Sequence, residues 1–312
     1  MTPELKTLSI IIPVYYNGTS LPHLHDKLSG VESELHTRAV DLQIIFVDDG
    51  SGDDSLDRLL EIQRQHPCTT IVKLSRNFGA VQAIKAGLPF VSGQCFTWIA
   101  ADLQDPPSLI VAMVDEWLHG AKFVICTRTE RDDPAGSRLW AALYYALVRR
   151  LVSPDFPRGG FDVALFDRQL LPYFQRSGKN IHLGLLAHFL GFKPVVIGYK
   201  RQARVHGKSR WTFAKKLKLL VDSLLGFSYL PIRLISLAGL VIAVLSILYG
   251  VVVVIGVLVG GREVPGFATL AALIAFLFGL VIIMLGILGE YLWRILDEIN
   301  HRPESVVERV YQ

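Results

Sequence analysis

Three short stretches within residues 48–162 carry side chains able to do chemistry together: Asp48-Asp49-Gly50-Ser51, the run Ala100-Ala101-Asp102-Leu103-Gln104-Asp105-Pro106-Pro107, and Phe161-Asp162. Carboxylate and carboxamide oxygens suit a hard divalent cation such as Mg2+ or Mn2+, which takes oxygen ligands and shares them with water and substrate phosphates. The same carboxylates can hydrogen-bond a base or a ribose. Simpler readings exist for each stretch. An Asp-Gly pair commonly makes an Asx turn, and Pro106-Pro107 can open a helix. A fourth group is basic. Arg204 and Arg210 can grip a phosphate with two parallel bonds, whereas Lys208 between them acts as a point charge. No Walker A run and no Gly-x-Gly-x-x-Gly turn is present, which argues against P-loop ATP chemistry and a dinucleotide cofactor.

These groups need a scaffold. Five apolar runs, at residues 8–12, 43–47, 70–74, 96–99 and 122–126, read as strands. Helical spacing fills the intervals at 21–36, 54–65, 80–90 and 108–118. Such alternation predicts an α/β fold with a mostly parallel sheet and helices on both faces. Four of the strands end in polar residues: Pro13-Val14-Tyr15, Asp48-Asp49, Ser75-Arg76-Asn77, and the Asp102 segment. Polar strand ends on one edge of an open sheet form a ligand crevice. Beyond this, residues 138–152 read as a helix and 161–167 as a short strand.

Half of the 312 residues are hydrophobic, and the apolar content is concentrated near the C-terminus. No charge occurs in the 28 residues between Arg233 and Arg262 or the 26 between Glu263 and Glu290. About 20 apolar residues cross a bilayer as a helix, so a two-span hairpin is expected. Residues 193–218 before it hold nine Lys or Arg and no Asp or Glu, whereas the connector holds only Arg262 as a cation. Positive charge stays cytoplasmic, which predicts an integral membrane protein with the N-terminal domain and both termini in the cytoplasm. Residues 211–227 mix Lys with large apolar side chains, as a helix in the headgroup plane does. No secretory signal is read at the N-terminus. Cys68, Cys95 and Cys126 lack metal-ligand spacing and read as reduced core thiols. The basic excess lies beside the spans rather than in a nucleic-acid reader module, so no nucleic-acid partner is expected.

Taken in order, Pro13-Val14-Tyr15, Val47-Asp48-Asp49-Gly50-Ser51, Leu74-Ser75-Arg76-Asn77-Phe78-Gly79 and Ala101-Asp102-Leu103-Gln104-Asp105-Pro106-Pro107 resemble the family 2 glycosyltransferases. The branch resembled is the polyprenyl-phosphate one, with dolichyl-phosphate mannose synthase and bacterial undecaprenyl-phosphate transferases. Arg158-Gly159-Gly160-Phe161-Asp162, the segment Arg204 to Trp211, the hairpin and Gly289-Glu290-Tyr291-Leu292 continue the resemblance. It implies a Rossmann-like GT-A domain over about residues 1–210, an interfacial helix at 211–230, two transmembrane helices at about 234–259 and 266–289, and a cytoplasmic tail at 293–312.

The activity implied is inverting transfer of one sugar from a nucleotide sugar to a polyprenyl phosphate. A UDP-sugar is favoured and GDP-mannose stands second. Pro13, Tyr15, Asp48, Asp49, Arg76 and Asp102 would hold the nucleotide, and Asp102 with Gln104 the metal, Mg2+ or Mn2+. Asp102 and Asp162 would be catalytic, and Arg204, Lys208 and Arg210 would bind diphosphate or acceptor phosphate. A separate flippase and a downstream glycosyltransferase would use the product. Glycines along the spans permit close packing and a homo-oligomer. One departure stands out: the aspartate usual two positions before Asp102 is Ala100 here. Two alternatives stay open. A processive polysaccharide synthase is weakened by Gly207-Lys208-Ser209-Arg210-Trp211 in place of Gln-x-x-Arg-Trp. An inactive nucleotide-sugar-binding membrane protein would account for Ala100.

Overall fold

A computed structural model of the chain describes residues 5–102, 105–129, 135–179, 181–200, 213–260 and 266–312. It divides into two compact units, one of residues Met1–Ser223 with Pro303–Gln312 and one of Leu224–Arg302.

The first unit is built on strands β1 (Lys6–Val14), β2 (Val40–Asp48), β3 (Thr70–Leu74), β4 (Cys95–Trp98), β5 (Phe123–Arg128), β6 (Val163–Asp167), β7 (Val195–Tyr199) and β8 (Val307–Tyr311). They form one sheet in the order β7-β5-β6-β4-β1-β2-β3-β8. The pairs β1·β2, β1·β4, β2·β3 and β5·β7 are parallel; β3·β8, β4·β6 and β5·β6 are antiparallel. The sheet is therefore mixed, its central part parallel. β1 shows why the apolar runs are unbroken: Ile10 and Ile12 pack into one layer and Ile11 into the other, all fully buried. A strand covered on both faces has no solvent side on which to place polar residues.

Helices α1 (Leu21–His36), α2 (Ser55–Gln65) and α4 (Leu109–Leu118) supply one layer. In α1 the buried residues Leu21, Leu24, Leu28, Val31 and Leu35 recur at three- and four-residue steps, one stripe of the helix. The other layer is made by α3 (Ala80–Gly87), α6 (Leu171–Gln175) and α7 (Leu183–Phe189). The helix expected over 80–90 ends its α-helical part at Gly87 and tightens to a 3-10 turn at Leu88–Phe90, where Pro89 has no N–H to continue the ladder. Helix α5 (Ala135–Leu151) follows β5. Cys95 and Cys126 are buried, and burial pushes the Cys126 thiol up to about 12 and the Cys95 thiol further. Cys68 is exposed, contrary to its reading as a core thiol, because it sits in the turn between α2 and β3.

Helix α8 (Phe213–Phe227) crosses from the first unit to the second. Ser223 on it is fully buried, its hydroxyl 2.9 Å from that of Tyr144 on α5, so this part of α8 packs on the domain. The second unit holds α9 (Leu230–Gly260) and α10 (Phe267–Ile299). Both are long and apolar enough to cross a membrane, over Ile232–Val253 and Phe276–Ile299. A Cβ added at Gly239 would lie 3.1 Å from the Met284 methyl, whereas at Gly250, Gly256, Gly279, Gly286 and Gly289 it would meet no atom from beyond its own helix turn within 4 Å among the described residues.

The expected tail at 293–312 is corrected by the structure. Helix α10 runs on to Ile299, and β8 returns to the sheet as an edge strand antiparallel to β3. The run Val306-Val307-Glu308-Arg309-Val310-Tyr311 is rich in β-branched residues, which suits a pleated surface. The compact domain thus reaches Ser223 rather than residue 210, and includes Pro303–Gln312.

Candidate active site

Because β1, β2, β3 and β4 are mutually parallel, their C-terminal ends share one edge of the sheet. The chain builds outward from β1 to β2 and β3, then returns to the other side of β1 with β4. That reversal between β1 and β4 is where an open α/β sheet leaves a crevice. Pro13 and Tyr15 at the end of β1, Asp48 and Asp49 at β2, Arg76 after β3 and Asp102 after β4 all lie along this edge.

The acidic pair is buried and its two members differ. Asp49 accepts hydrogen bonds from the backbone N–H of Phe78 (2.7 Å) and Gly79 (2.9 Å), tying the end of β2 to the loop before α3. Asp48 is fully buried and accepts from Ser51 N–H through Oδ1, while its Oδ2 has no partner among the described residues. Burial raises both carboxyls above the ordinary range, more than the bonds from Ser51, Phe78 and Gly79 lower them. A buried acceptor left open at a crevice is a site for a ligand's N–H or O–H, since an unpaired buried oxygen costs about 1–3 kcal/mol. Gly50 lets the two loops meet. Its φ is +68°, and a Cβ there would lie 2.6 Å from the Arg76 carbonyl carbon. Arg76 itself stacks its guanidinium 4.1 Å from the centre of the Phe78 ring.

The loops after β1 and β4 are also joined. Ser20 Oγ donates to the Ala101 carbonyl at 2.9 Å, in a buried position, so the chain just before Asp102 is held to the start of α1. Tyr16 N–H donates to Ser51 Oγ (3.2 Å), which links the β1 and β2 loops, and Tyr15 N–H donates to Asn17 Oδ1 (2.9 Å) within the β1 loop.

Asp162 reaches the same edge by a different route. It precedes β6, which runs antiparallel to β4, so the start of β6 lies beside the end of β4. Register then sets Val163 opposite Cys126 on β5, and Arg128 opposite Tyr199 on β7. Arg128 holds Asp162 with two bonds, Nε to Oδ2 (2.5 Å) and Nη2 to Oδ1 (2.7 Å). The Tyr199 hydroxyl donates to Asp105 Oδ1 (2.6 Å) and lies 3.2 Å from Asp162 Oδ2. Burial tends to lower the Arg128 pKa, but pairing with Asp162 outweighs it and raises it. Tyr199 is raised by burial and then by the charge of Asp162. The positive φ of Gly160, +67°, turns the chain into Phe161, whose ring packs with Phe123, Phe156 and His188. Burial pulls His188 down to about 4, so it is a neutral member of this aromatic base.

The structure therefore brings Pro13, Tyr15, Asp48, Asp49, Arg76, Asp102 and Asp162 to one sheet edge. Gln104, Arg204, Lys208 and Arg210 lie outside the described residues. Arg128, Tyr199 and Asp105 were not singled out by sequence as site residues. Arg128 ends an apolar strand, a position that signals an edge residue, but nothing local pairs it with Asp162.

A family model described as glycosyl transferase family 2 matches residues 9–174. The chain belongs to this family. It is a glycosyltransferase. The match spans β1 to α6, hence every acidic residue above, and stops before Tyr199, the apolar helices and β8. An uncharacterized glycosyltransferase of Synechocystis sp. is 33% identical, over 97% of this chain and 95% of its own. The bactoprenol glucosyl transferase of Shigella phage SfV is 29% identical, over 98% of this chain and 99% of its own. Among solved structures, glucosyl-3-phosphoglycerate synthase from Mycobacterium tuberculosis, in complex with Mn2+, UDP-glucose and phosphoglyceric acid, superposes with a TM-score of 0.52 at 20% identity. That likeness covers 70% of this chain and 79% of the other, and it is a likeness of the GT-A fold.

Proposed function

We propose that this family 2 enzyme transfers a single sugar from a nucleotide sugar to a polyprenyl phosphate at the cytoplasmic face of a membrane, with inversion at the anomeric carbon. The observation that carries this reading is the insertion of two long apolar helices, Leu230–Gly260 and Phe267–Ile299, into a chain that leaves the sheet-bearing unit after Ser223 and re-enters it at Pro303. A hairpin so placed would anchor the domain to the bilayer in which a polyprenyl acceptor resides, both ends on one side. The full-length similarity to an enzyme named for bactoprenol supports the acceptor. A UDP-sugar is the favoured donor, with GDP-mannose second.

In this reading the open Oδ2 of Asp48 receives an N–H of the nucleobase, and Asp49 fixes the loop that carries Arg76. The donor set available to a cation is hard oxygen, Asp102 with the amide oxygen of Gln104. Among the described residues no group of three or more His, Cys, Asp or Glu could hold a metal by itself. That sparse set fits Mg2+ or Mn2+, which keep waters and substrate oxygens as ligands, and Ala100 makes it sparser still. When bound, the ion would offset the charge that develops on the leaving nucleoside diphosphate.

The acceptor needs little activation. A phosphate monoester with a second pKa of about 6 is already largely a dianion at neutral pH. Asp162, held by Nε and Nη2 of Arg128, is paired with a fixed positive charge that favours its ionised form, and it is suited to orienting sugar or acceptor rather than to removing a proton. Arg204, Lys208 and Arg210 supply cationic contacts to the diphosphate or the acceptor phosphate. Helix α8 lies along the headgroups with the face not held by Tyr144. Separate proteins would flip the lipid product and pass its sugar on.

The test is transfer of radiolabelled sugar from a donor panel into an organic-extractable lipid, with undecaprenyl phosphate and Mg2+ or Mn2+. One sugar per lipid supports the reading. A polymer product, or no transfer from any donor, refutes it.

A further inference from the structure

We propose that the segment following the second apolar helix, Glu304–Tyr311, is a positioning element of the nucleotide site and acts on the loop Ser75–Gly79 from both ends. The inference rests on the reading of Asp48, Asp49 and Arg76 as nucleotide-binding residues.

Loop 75–79 begins where β3 stops and ends where α3 starts. At its first residue, Ser75 N–H donates to the Val306 carbonyl at 3.0 Å, extending the β3·β8 ladder past a register shift at Lys73/Leu74. A second tie flanks that ladder, Lys73 Nζ to Glu308 at 2.9 Å. Beyond the loop, α3 is clamped through Lys85. Its ammonium donates to the Ser177 carbonyl (2.8 Å), the Gly178 carbonyl (3.1 Å) and Glu304 Oε2 (2.5 Å). The Lys85 side chain is only 8% exposed, and an ammonium has three donors, so these three contacts use all of them, and Glu304 is the anion among the three. Between these anchors, Phe78 and Gly79 present their N–H groups to Asp49.

Covering the open edge of β3 requires a strand alone. The clamp from Glu304 to Lys85 lies outside β8 and adds nothing to that cover. What it does is fix the helix whose N-terminus carries the Asp49 ligands, while Val306 fixes the other end of the loop. Removing the Glu304 charge leaves a buried ammonium facing two neutral carbonyls. Helix α3 then shifts to hydrate it, and the Phe78 and Gly79 amides move off Asp49. Such a change weakens donor binding and leaves the chemical step alone.

The experiment uses the full-length chain in nanodiscs, with UDP-glucose as the kinetic probe and UDP as the binding probe. Glu304→Gln is expected to raise KM for UDP-glucose and Kd for UDP about five- to twentyfold, with kcat within about twofold. Amide exchange at 75–79 should quicken in that variant without ligand, and Glu304→Asp should restore most of the loss. In the unaltered chain, UDP should increase protection at 304–311 as well as at 75–79, because coupling between sites is reciprocal. Arg76→Ala separates this inference from the reading beneath it. If Arg76→Ala weakens UDP binding and Glu304→Gln changes neither binding nor exchange at 75–79, the tail has no positioning role. If Arg76→Ala also leaves binding unchanged, the nucleotide reading of the loop fails. Should Glu304→Gln not fold, the UDP-induced protection decides: protection at 75–79 without any at 304–311 overturns the proposal.

Discussion

Tyr199→Phe removes one oxygen from the candidate site and almost nothing else. Tyr199 is 6% exposed, and its ring is retained in the variant, so no cavity opens. What is lost is the hydroxyl that donates to Asp105 at 2.6 Å and lies 3.2 Å from Asp162. A hydrogen bond to a charged acceptor is worth about 1.5–3 kcal/mol. Taking about 2 kcal/mol for the bridge, and assuming that it is needed to hold both carboxylates, kcat/KM falls about 30-fold. Stability should fall less, by about 1 kcal/mol, because half-buried Asp105 regains water and Asp162 keeps both bonds from Arg128. The assay is the initial rate of lipid-linked sugar formation at several donor concentrations, beside a thermal melt in detergent. A variant with normal turnover and a lowered melting point would show that the bridge is structural, and that Asp105 and Asp162 need not be held together for transfer.

Asp102→Asn and Asp162→Asn should each reduce transfer at least 100-fold, and excess chelator should abolish it until Mg2+ or Mn2+ is restored; full activity in chelator would remove the metal from the proposal. The raised carboxyl of Asp48 makes donor binding pH-dependent. Its ionised, accepting form is lost at a higher pH than for an ordinary carboxylate, so KM for donor should climb earlier on acidification, and Asp48→Asn should flatten that profile while raising KM. Asp167 works in the opposite sense. Burial tends to raise it, but bonds from Trp117, Gln169 and Lys122 win and lower its pKa, so its contribution to stability is complete above the ordinary carboxylate range and vanishes as pH falls through the lowered value. Asp167→Ala should cost about 2–3 kcal/mol at pH 7 by denaturant titration and much less at the acid end. Gly50→Ala should weaken donor binding more than it lowers the melting point, because the clash is with the Arg76 backbone in the loop itself.

Much of the fold was legible because its elements are strongly patterned. The unbroken apolar runs of β1 and β2 and the stripe of α1 each have one good structural solution. β7 and β8 were not foreseen. Each is five residues long, and β7 is mostly exposed, so neither shows the burial pattern that marks a strand. The acidic residues could be named from their types and from where the apolar runs stop. Their division of labour could not, since Asp48 and Asp49 are adjacent and alike in sequence. One is bound by two amides and the other keeps an open oxygen, and only packing distinguishes them.

By itself the sequence determined that this is an α/β domain with polar strand ends, joined to two apolar helices of membrane-spanning length. Local pattern is sufficient for that, because burial on two faces and burial along a bilayer leave different hydrophobic spacings. The tertiary structure alone decided that Asp162, on the far side of α5 in sequence, stands beside the end of β4. An antiparallel β6 puts it there, and strand direction depends on long-range pairing rather than on neighbouring residues. The same holds for Glu304. Its partner Lys85 is 219 positions away, and a contact at that separation exists only once β8 has closed the sheet.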